Sequence, residues 1–171
     1  TESLLELNKI SVTDYQAGFQ IIRIDEVIWE ARSLAQKLNS TYKVLFDTQF
    51  MPDDEELLML KGDEKLMLTA IKNLIENACK FSPNNQAQVS LSIVSNQIEI
   101  EIKNEGKGIP EADLPFIFQP FFRGVNTANS KGYGIGLSLV ERIIHLHNGQ
   151  ISVSSAVNSW TTFKVNLPIN K

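Results

Sequence analysis

The chain has 171 residues, 43% hydrophobic and 21% charged, enough to bury roughly 70% of its unfolded surface around one core without a disulfide or metal staple. Its 16 lysines and arginines against 20 acids give a net charge of −4, which argues against general nucleic-acid binding, since neutralising phosphates calls for a basic surface. The single cysteine, Cys79, has no internal disulfide partner, and no apolar run approaches the length of a membrane span.

In chain order, Leu4, Leu5, Leu7 and Ile10 form a short apolar stripe at helical spacing, and the opening TESLLELNKI looks cut from inside a helix. The chain is therefore expected to be a soluble fragment of something larger. SVTDYQAG then reads as a linker, so that residues 1–17 form an appendage and residues 18–171 the domain proper. Phe19–Ile24 is strand-like. Asp25 stands as an N-cap before a helix to about Asn39, with Val27, Ile28, Ala31, Leu34, Ala35 and Leu38 on one face and Trp29 read as core. Tyr42–Phe46 and Leu57–Lys61 are strand candidates separated by the turn-rich MPDDEE. A long helix is predicted from about Asp63 to Lys80, burying Met67, Ala70, Ile71, Leu74 and Ala78. Gln88–Val94 and Gln97–Lys103 make a hairpin around Ser95–Asn96. Residues 104–136, rich in Gly and Pro, leave room for one short helix near Asp113–Phe118. Leu137–His147 is helical and stops at Asn148–Gly149, and Ile151–Ser155 with Thr161–Leu167 close the chain as a hairpin. Strands in hairpins between long helices predict an α+β two-layer sandwich with a mixed sheet on one face and helices on the other.

Four segments carry candidate chemistry. In LTAIKNLIENACKFSP, Asn73, Asn77 and Lys80 share one helix stripe opposite the apolar one. Amide oxygens suit a hard cation and an ammonium suits phosphate, although alone such a stripe reads first as a solvated face. NEGKGIP (104–110) follows a strand, and its paired glycines permit close backbone approach to a ligand or make an ordinary turn. LPFIFQPFFRG sets aromatics and prolines before Arg123, a pattern typical of the packed base of a loop. KGYGIGL (131–137) alternates glycines into a helix start, where free N–H groups and the helix dipole form an anion cradle. It is neither a Walker A loop nor a G-x-G-x-x-G fingerprint. The polar GVNTANSK between them fits either a flexible cover or an idle loop. Cys79, between the apolar and polar stripes of its helix, reads as packing.

The order of the four segments resembles the ATP-binding domain of bacterial sensor histidine kinases, the Bergerat-type fold shared with gyrase. NLIENACKFSP is similar to that family's N box, NEGKGIP to its G1 box, FIFQPFFR to its F box, GYGIGL to its G2 box, and WTTF to its closing element. The resemblance covers roughly residues 19–168. It implies ATP and Mg²⁺ as cofactors, with Asn77 holding the metal, Asn73 supporting it, Lys80 on phosphate and Phe81 packed near the nucleotide. Gly106 and Gly108 would let the backbone close on adenine over Ile109, and Arg123 would steady the γ-phosphate. Gly132, Gly134 and Gly136 would form the phosphate-side loop and lid hinge. Phe118, Lys131, Tyr133, Ile135 and Leu137 of the same boxes are implied around the nucleotide, and Thr161 near the adenine. Asn77, Lys80 and Arg123 are the implied catalytic set. The resemblance also implies a structural role for His145 and His147 and solvent exposure for Glu76.

Two positions depart from the family pattern. Asn104 stands where an Asp usually accepts from the adenine amino group; it can still accept, at a cost of about 1 kcal/mol or roughly fivefold in affinity. Trp160 stands where the closing element usually has Gly. The resemblance implies γ-phosphoryl transfer to a histidine on a dimerisation helix absent from this chain, then to a response-regulator aspartate. The partners are accordingly the dimerisation domain and a receiver domain, with no nucleic acid. The fragment is expected to be monomeric and cytoplasmic, and its parent homodimeric and anchored in the inner membrane. A degenerate nucleotide-binding regulatory module, or another Bergerat-fold ATPase or anti-sigma-type kinase, is the alternative.

Overall fold

A computed structural model describes residues 12–124 and 134–170; the opening apolar stripe and residues 131–133 of the last glycine segment lie outside them. Three helices cover one face of a five-stranded sheet, the mixed two-layer sandwich expected, with strand order β2–β4–β5–β7–β6. Its strands are β2 (Lys43–Asp47), β4 (Gln86–Val94), β5 (Gln97–Glu105), β6 (Gln150–Ala156) and β7 (Trp160–Pro168). Only β2 and β4 run parallel; the other neighbours are antiparallel. A separate ribbon pairs β1 (Gln20–Arg23) with β3 (Met59–Gly62).

Strict alternation sets the register of the sheet. Val89 and Leu91 of β4, Ile98, Ile100 and Ile102 of β5, and Phe163, Val165 and Leu167 of β7 all face the helices and are buried. The opposite face is polar: Lys164 bridges Glu101 at 3.1 Å and Glu99 at 3.5 Å. Ser95 and Asn96 both take positive φ, the geometry of a two-residue hairpin between β4 and β5.

The central helix α3 (Glu64–Lys80) packs between α2 (Ile24–Leu38) and α4 (Gly136–Leu146) and against the sheet. Asp63 caps it, Oδ1 accepting from Leu66 N at 3.0 Å, and the expected apolar face is buried together with Ile75 and Cys79. Burial, with Glu76 adding a smaller electrostatic push, raises the Cys79 thiol to about 11, which suits a packing residue. His147, just past α4, is also structural: Nε2 accepts from Asp63 N at 3.0 Å, Nδ1 faces Ile143 O at 2.7 Å, and the ring stacks on Phe19.

Four local expectations are corrected. Residues 12–16 of the expected linker form a short helix, α1 (Val12–Gln16), held by tertiary bonds: Tyr15 Oη donates to Asp63 Oδ2 at 3.2 Å and Gln16 Nε2 to Leu146 O at 2.7 Å. Arg23, not Asp25, is the N-cap position of α2; Asp25 lies in the first turn, paired with Arg23 at 2.8 Å. Residues 55–58 form a 3₁₀ turn, with Asp54 accepting from Glu56 N, so that β3 begins only at Met59. Trp29 is 43% exposed, edge-on to Phe46 with Arg32 over its ring, because it lies beside the buried stripe of α2 and not on it.

Candidate nucleotide-binding site

A cavity of about 1270 Å³ opens between the C-terminal half of α3, the start of α4 and the adjoining ends of β5 and β7. Its walls bring together Asn73, Asn77, Lys80, Phe81, Asn104, Gly106, Gly108, Ile109, Arg123, Gly134, Ile135, Gly136, Leu137 and Thr161. Four separate sequence segments and the closing strand therefore meet at one place.

The helix wall comes from the 3.6-residue repeat of α3. With Met67, Ile71, Leu74 and Ala78 turned to the core, Asn73, Asn77 and Lys80 fall on the flank facing the cavity. Asn73 Nδ2 bonds back to Thr69 O at 2.9 Å, which fixes its amide and leaves Oδ1 toward Gly136. Dehydration at the wall, and then the Arg123 guanidinium, pull the Lys80 ammonium below its ordinary value. Two cations have been brought close enough to repel, an arrangement that favours a polyanion between them.

The start of α4 supplies the opposite wall. Its N-cap residue, Ile135, makes no side-chain cap, and Gly134 to Leu137 all line the cavity, so among the described residues the first-turn N–H groups are placed to meet anionic oxygens. Gly134 is held at φ +71° while Phe121 N donates to its carbonyl at 2.9 Å. A Cβ there would lie 2.7 Å from Phe122 O, so the position needs glycine for its angle and for its space.

Asn104 and Thr161 form a polar floor, and the polar row continues behind it to Ser155 on a third strand. Asn104 of β5 pairs with Thr161 of β7, which pairs with Ser155 of β6. Each occupies the next inward position after apolar residues: Ile100 and Ile102 before Asn104, Val165 and Phe163 before Thr161, Ile151 and Val153 before Ser155. Asn104 and Thr161 are 6% and 7% exposed, and Asn104 Nδ2 donates to Glu105 O at 3.0 Å. The loop after β5 is moored to the last hairpin by Gly106 N to Ser159 O, Asn158 N to Lys107 O and Ile109 N to Ser155 Oγ. It also passes so close to the end of α3 that a Cβ on Gly106 would run into the Phe81 carbonyl.

Some residues were placed differently or missed. Phe118 is not among the lining residues and packs edge-on against Phe163, which does line the cavity. Glu76, expected in solvent, is half-buried in the wall beside Asn77. Asp113, Ile117 and Phe122 line the far side, and Asp113 Oδ2 is buried without a partner among the described residues. Ser155 also belongs to this region, and its only mark in the sequence is its inward phase after Ile151 and Val153.

With two cations and a helix start at one end and a glycine loop over a polar floor at the other, the cavity is suited to a nucleotide. The chain belongs to the histidine kinase-, DNA gyrase B-, and HSP90-like ATPase family, whose profile matches residues 62–171. It is 36% identical over 168 residues to the signal transduction histidine-protein kinase ArlS of Staphylococcus aureus, covering 96% of this chain and 36% of that protein. The chain thus spans about a third of the length of the curated relatives it matches. Among solved structures, the mycobacterial sensor histidine kinase MprB superposes with a TM-score of 0.76 at 25% identity, over 87% of this chain and 97% of that one. The catalytic domain of histidine kinase ThkA superposes with a TM-score of 0.72 at 25% identity, over 88% and 95%. Within the family, the chain is of the ATP-binding catalytic type found in two-component sensor histidine kinases. None of its described helices is long and apolar enough to cross a membrane.

Proposed function

We propose that the cavity binds Mg-ATP and presents its γ-phosphoryl to a histidine on a dimerisation helix outside this chain, from which the group passes to an aspartate of a response regulator. In the first step the bond from the γ-phosphorus to the bridging oxygen breaks, a phosphorus–nitrogen bond forms on the imidazole, and ADP leaves. The observation that carries this reading is the convergence of Asn77, Lys80, Arg123 and the start of α4 on one cavity that holds Asn104 and Thr161 at its other end.

The donor set suits Mg²⁺. Among the described residues no group of three or more His, Cys, Asp and Glu could cage a metal. A magnesium ion is instead commonly held by one or two protein oxygens, water and substrate phosphates, and Asn77 would supply the protein oxygen. When bound, the ion would supply positive charge against the phosphate oxygens. Lys80 and Arg123 then place positive charge on the tail, the N–H groups of Gly136 and Leu137 receive phosphate oxygens, and Asn73 steadies the Asn77 stripe. Catalysis of this kind is positioning and charge stabilisation, with no covalent step on the domain itself.

At the base end, Asn104 and Thr161 would face the purine edge, with Ile109 and Phe163 as apolar surfaces. The burial of Asn104 beside Thr161 supports a working base site over a decayed one. The leucine-rich opening would be the tail of the dimerisation helix, with the domain proper from residue 18, a homodimeric parent anchored in the inner membrane, and the receiver domain as second partner. Calorimetric titration of the chain with a non-hydrolysable ATP analogue, with and without Mg²⁺, tests the site; binding that Mg²⁺ strengthens is expected, and no binding under either condition refutes it. Because the acceptor histidine lies outside the chain, radiolabel from ATP is expected on an added dimerisation domain and not on this chain alone.

A further inference from the structure

The nucleotide reading leaves one member of the polar row without a task. We propose that Ser155 fixes the direction of the hydrogen bonds at the base end of the cavity, and so makes this chain select purines that carry an amino group, not an oxo group, at the six-position. The inference rests on the nucleotide reading above and assigns a positioning role, since Ser155 acts through Thr161.

Ser155 Oγ lies 2.8 Å from Trp160 O, 2.8 Å from Ile109 N and 2.9 Å from Thr161 Oγ1. A carbonyl oxygen cannot donate, so the first contact consumes the one proton Ser155 has. The second is an N–H donating to Ser155. In the third, Ser155 has no proton left to give, so Thr161 must be the donor. The Ser155 hydroxyl thus gives one bond and receives two, its full capacity. Thr161, 7% exposed, is left with lone pairs and no proton to offer a ligand. Beside it, Asn104 has its amide nitrogen on Glu105 O at 3.0 Å, which turns Oδ1 away from that carbonyl.

Two neighbouring strands therefore show the ligand acceptors, Thr161 Oγ1 and Asn104 Oδ1. An amino group on the purine six-position supplies the donors these need. A six-oxo group sets lone pairs against lone pairs in a buried place, where an unpaired acceptor is costly. Selection by bond direction also fits an Asn at 104, which brings no charge to the task. Without the Ser155 hydroxyl, the Thr161 proton is released and its O–H can turn toward an oxo group, erasing the distinction.

The test measures Kd for ATP and for ITP, its six-oxo counterpart, with Mg²⁺, on the full chain and on Ser155→Ala and Ser155→Thr. The unsubstituted chain is expected to prefer ATP by about tenfold or more, equivalent to about 1.4 kcal/mol. Ser155→Ala is expected to cut that preference to about threefold or less, chiefly by tightening ITP, whereas Ser155→Thr keeps the hydroxyl and the preference. An unchanged ratio in Ser155→Ala overturns the proposal, as does an equal weakening of both nucleotides, which would make Ser155 only an anchor for Ile109. A chain that binds ATP without preferring it to ITP overturns this inference but not the nucleotide site; a chain that binds neither overturns both.

Discussion

The two ends of the cavity are built on opposite principles. At the base end, Asn104, Thr161 and Ser155 stand in register on three paired strands, and their described side-chain bonds run between Ser155 and Thr161, to the carbonyls of Glu105 and Trp160, and to the Ile109 N–H. At the phosphate end, Lys80 and Arg123 come from different segments and repel each other, and Ile135 at the start of α4 makes no side-chain cap. One end presents hydrogen-bond acceptors whose direction the sheet fixes, and the other brings two like charges and a helix start together. Under the proposed nucleotide reading, bond direction falls to the sheet and polyphosphate binding to the helices.

Substitutions separate these roles, and the largest effect is expected at the phosphate end. Asn77→Ala removes the proposed protein oxygen for the metal, and should abolish the Mg²⁺-dependent gain in ATP affinity, a loss of about tenfold or more, while affinity measured in EDTA changes little. Lys80→Met should weaken ATP about fivefold and ADP less, since one charge facing the distal phosphates is lost; titrating both nucleotides side by side reads the difference. The same change should weaken the dependence of ATP affinity on salt.

A third prediction concerns the scaffold shared by both ends. Burial is the chief cause holding His147 below its ordinary value. The unfolded chain takes up this proton near pH 6.5 and the folded chain resists it, so stability present above pH 6.5 is lost as pH falls toward the folded value. Urea midpoints should drop between about pH 7 and pH 5. His147→Gln, at a cost of about 1 kcal/mol near neutrality, should flatten that slope. The smallest effect belongs to the base end. Asn104→Asp strengthens acceptance from an amino group by adding charge, but forfeits the bond to Glu105 O and sets a carboxylate near that carbonyl. ATP should tighten by about two- to threefold only, short of the roughly fivefold that the charge alone suggests.

What could be read in the sequence follows the range of the forces involved. Helix α3 was legible to within a residue because its apolar period, its Asp63 cap and its flank of Asn73, Asn77 and Lys80 are all local. The β4–β5 hairpin was legible for the same reason. Helix α1 was not, since five residues carry too little period and what holds Tyr15 and Gln16 lies at Asp63 and Leu146. Trp29 was misjudged because hydrophobicity was read without helical phase, and Phe118 because a motif position does not say which way a ring turns. The polar row was half legible: Asn104 stood out within its motif, while Ser155 looked like any serine until β6 was laid beside β7.

Asp63 has a wider consequence. One of its carboxylate oxygens caps α3, the other receives Tyr15 of α1, and its main-chain N–H is held by His147 at the end of α4. The helix bearing Asn77 is thus moored, at the end remote from the cavity, through one aspartate to the segment by which the chain enters the domain. The start of α3, the end of α4 and α1 therefore share one anchor, and none of the three can shift against the others without breaking a bond to that aspartate.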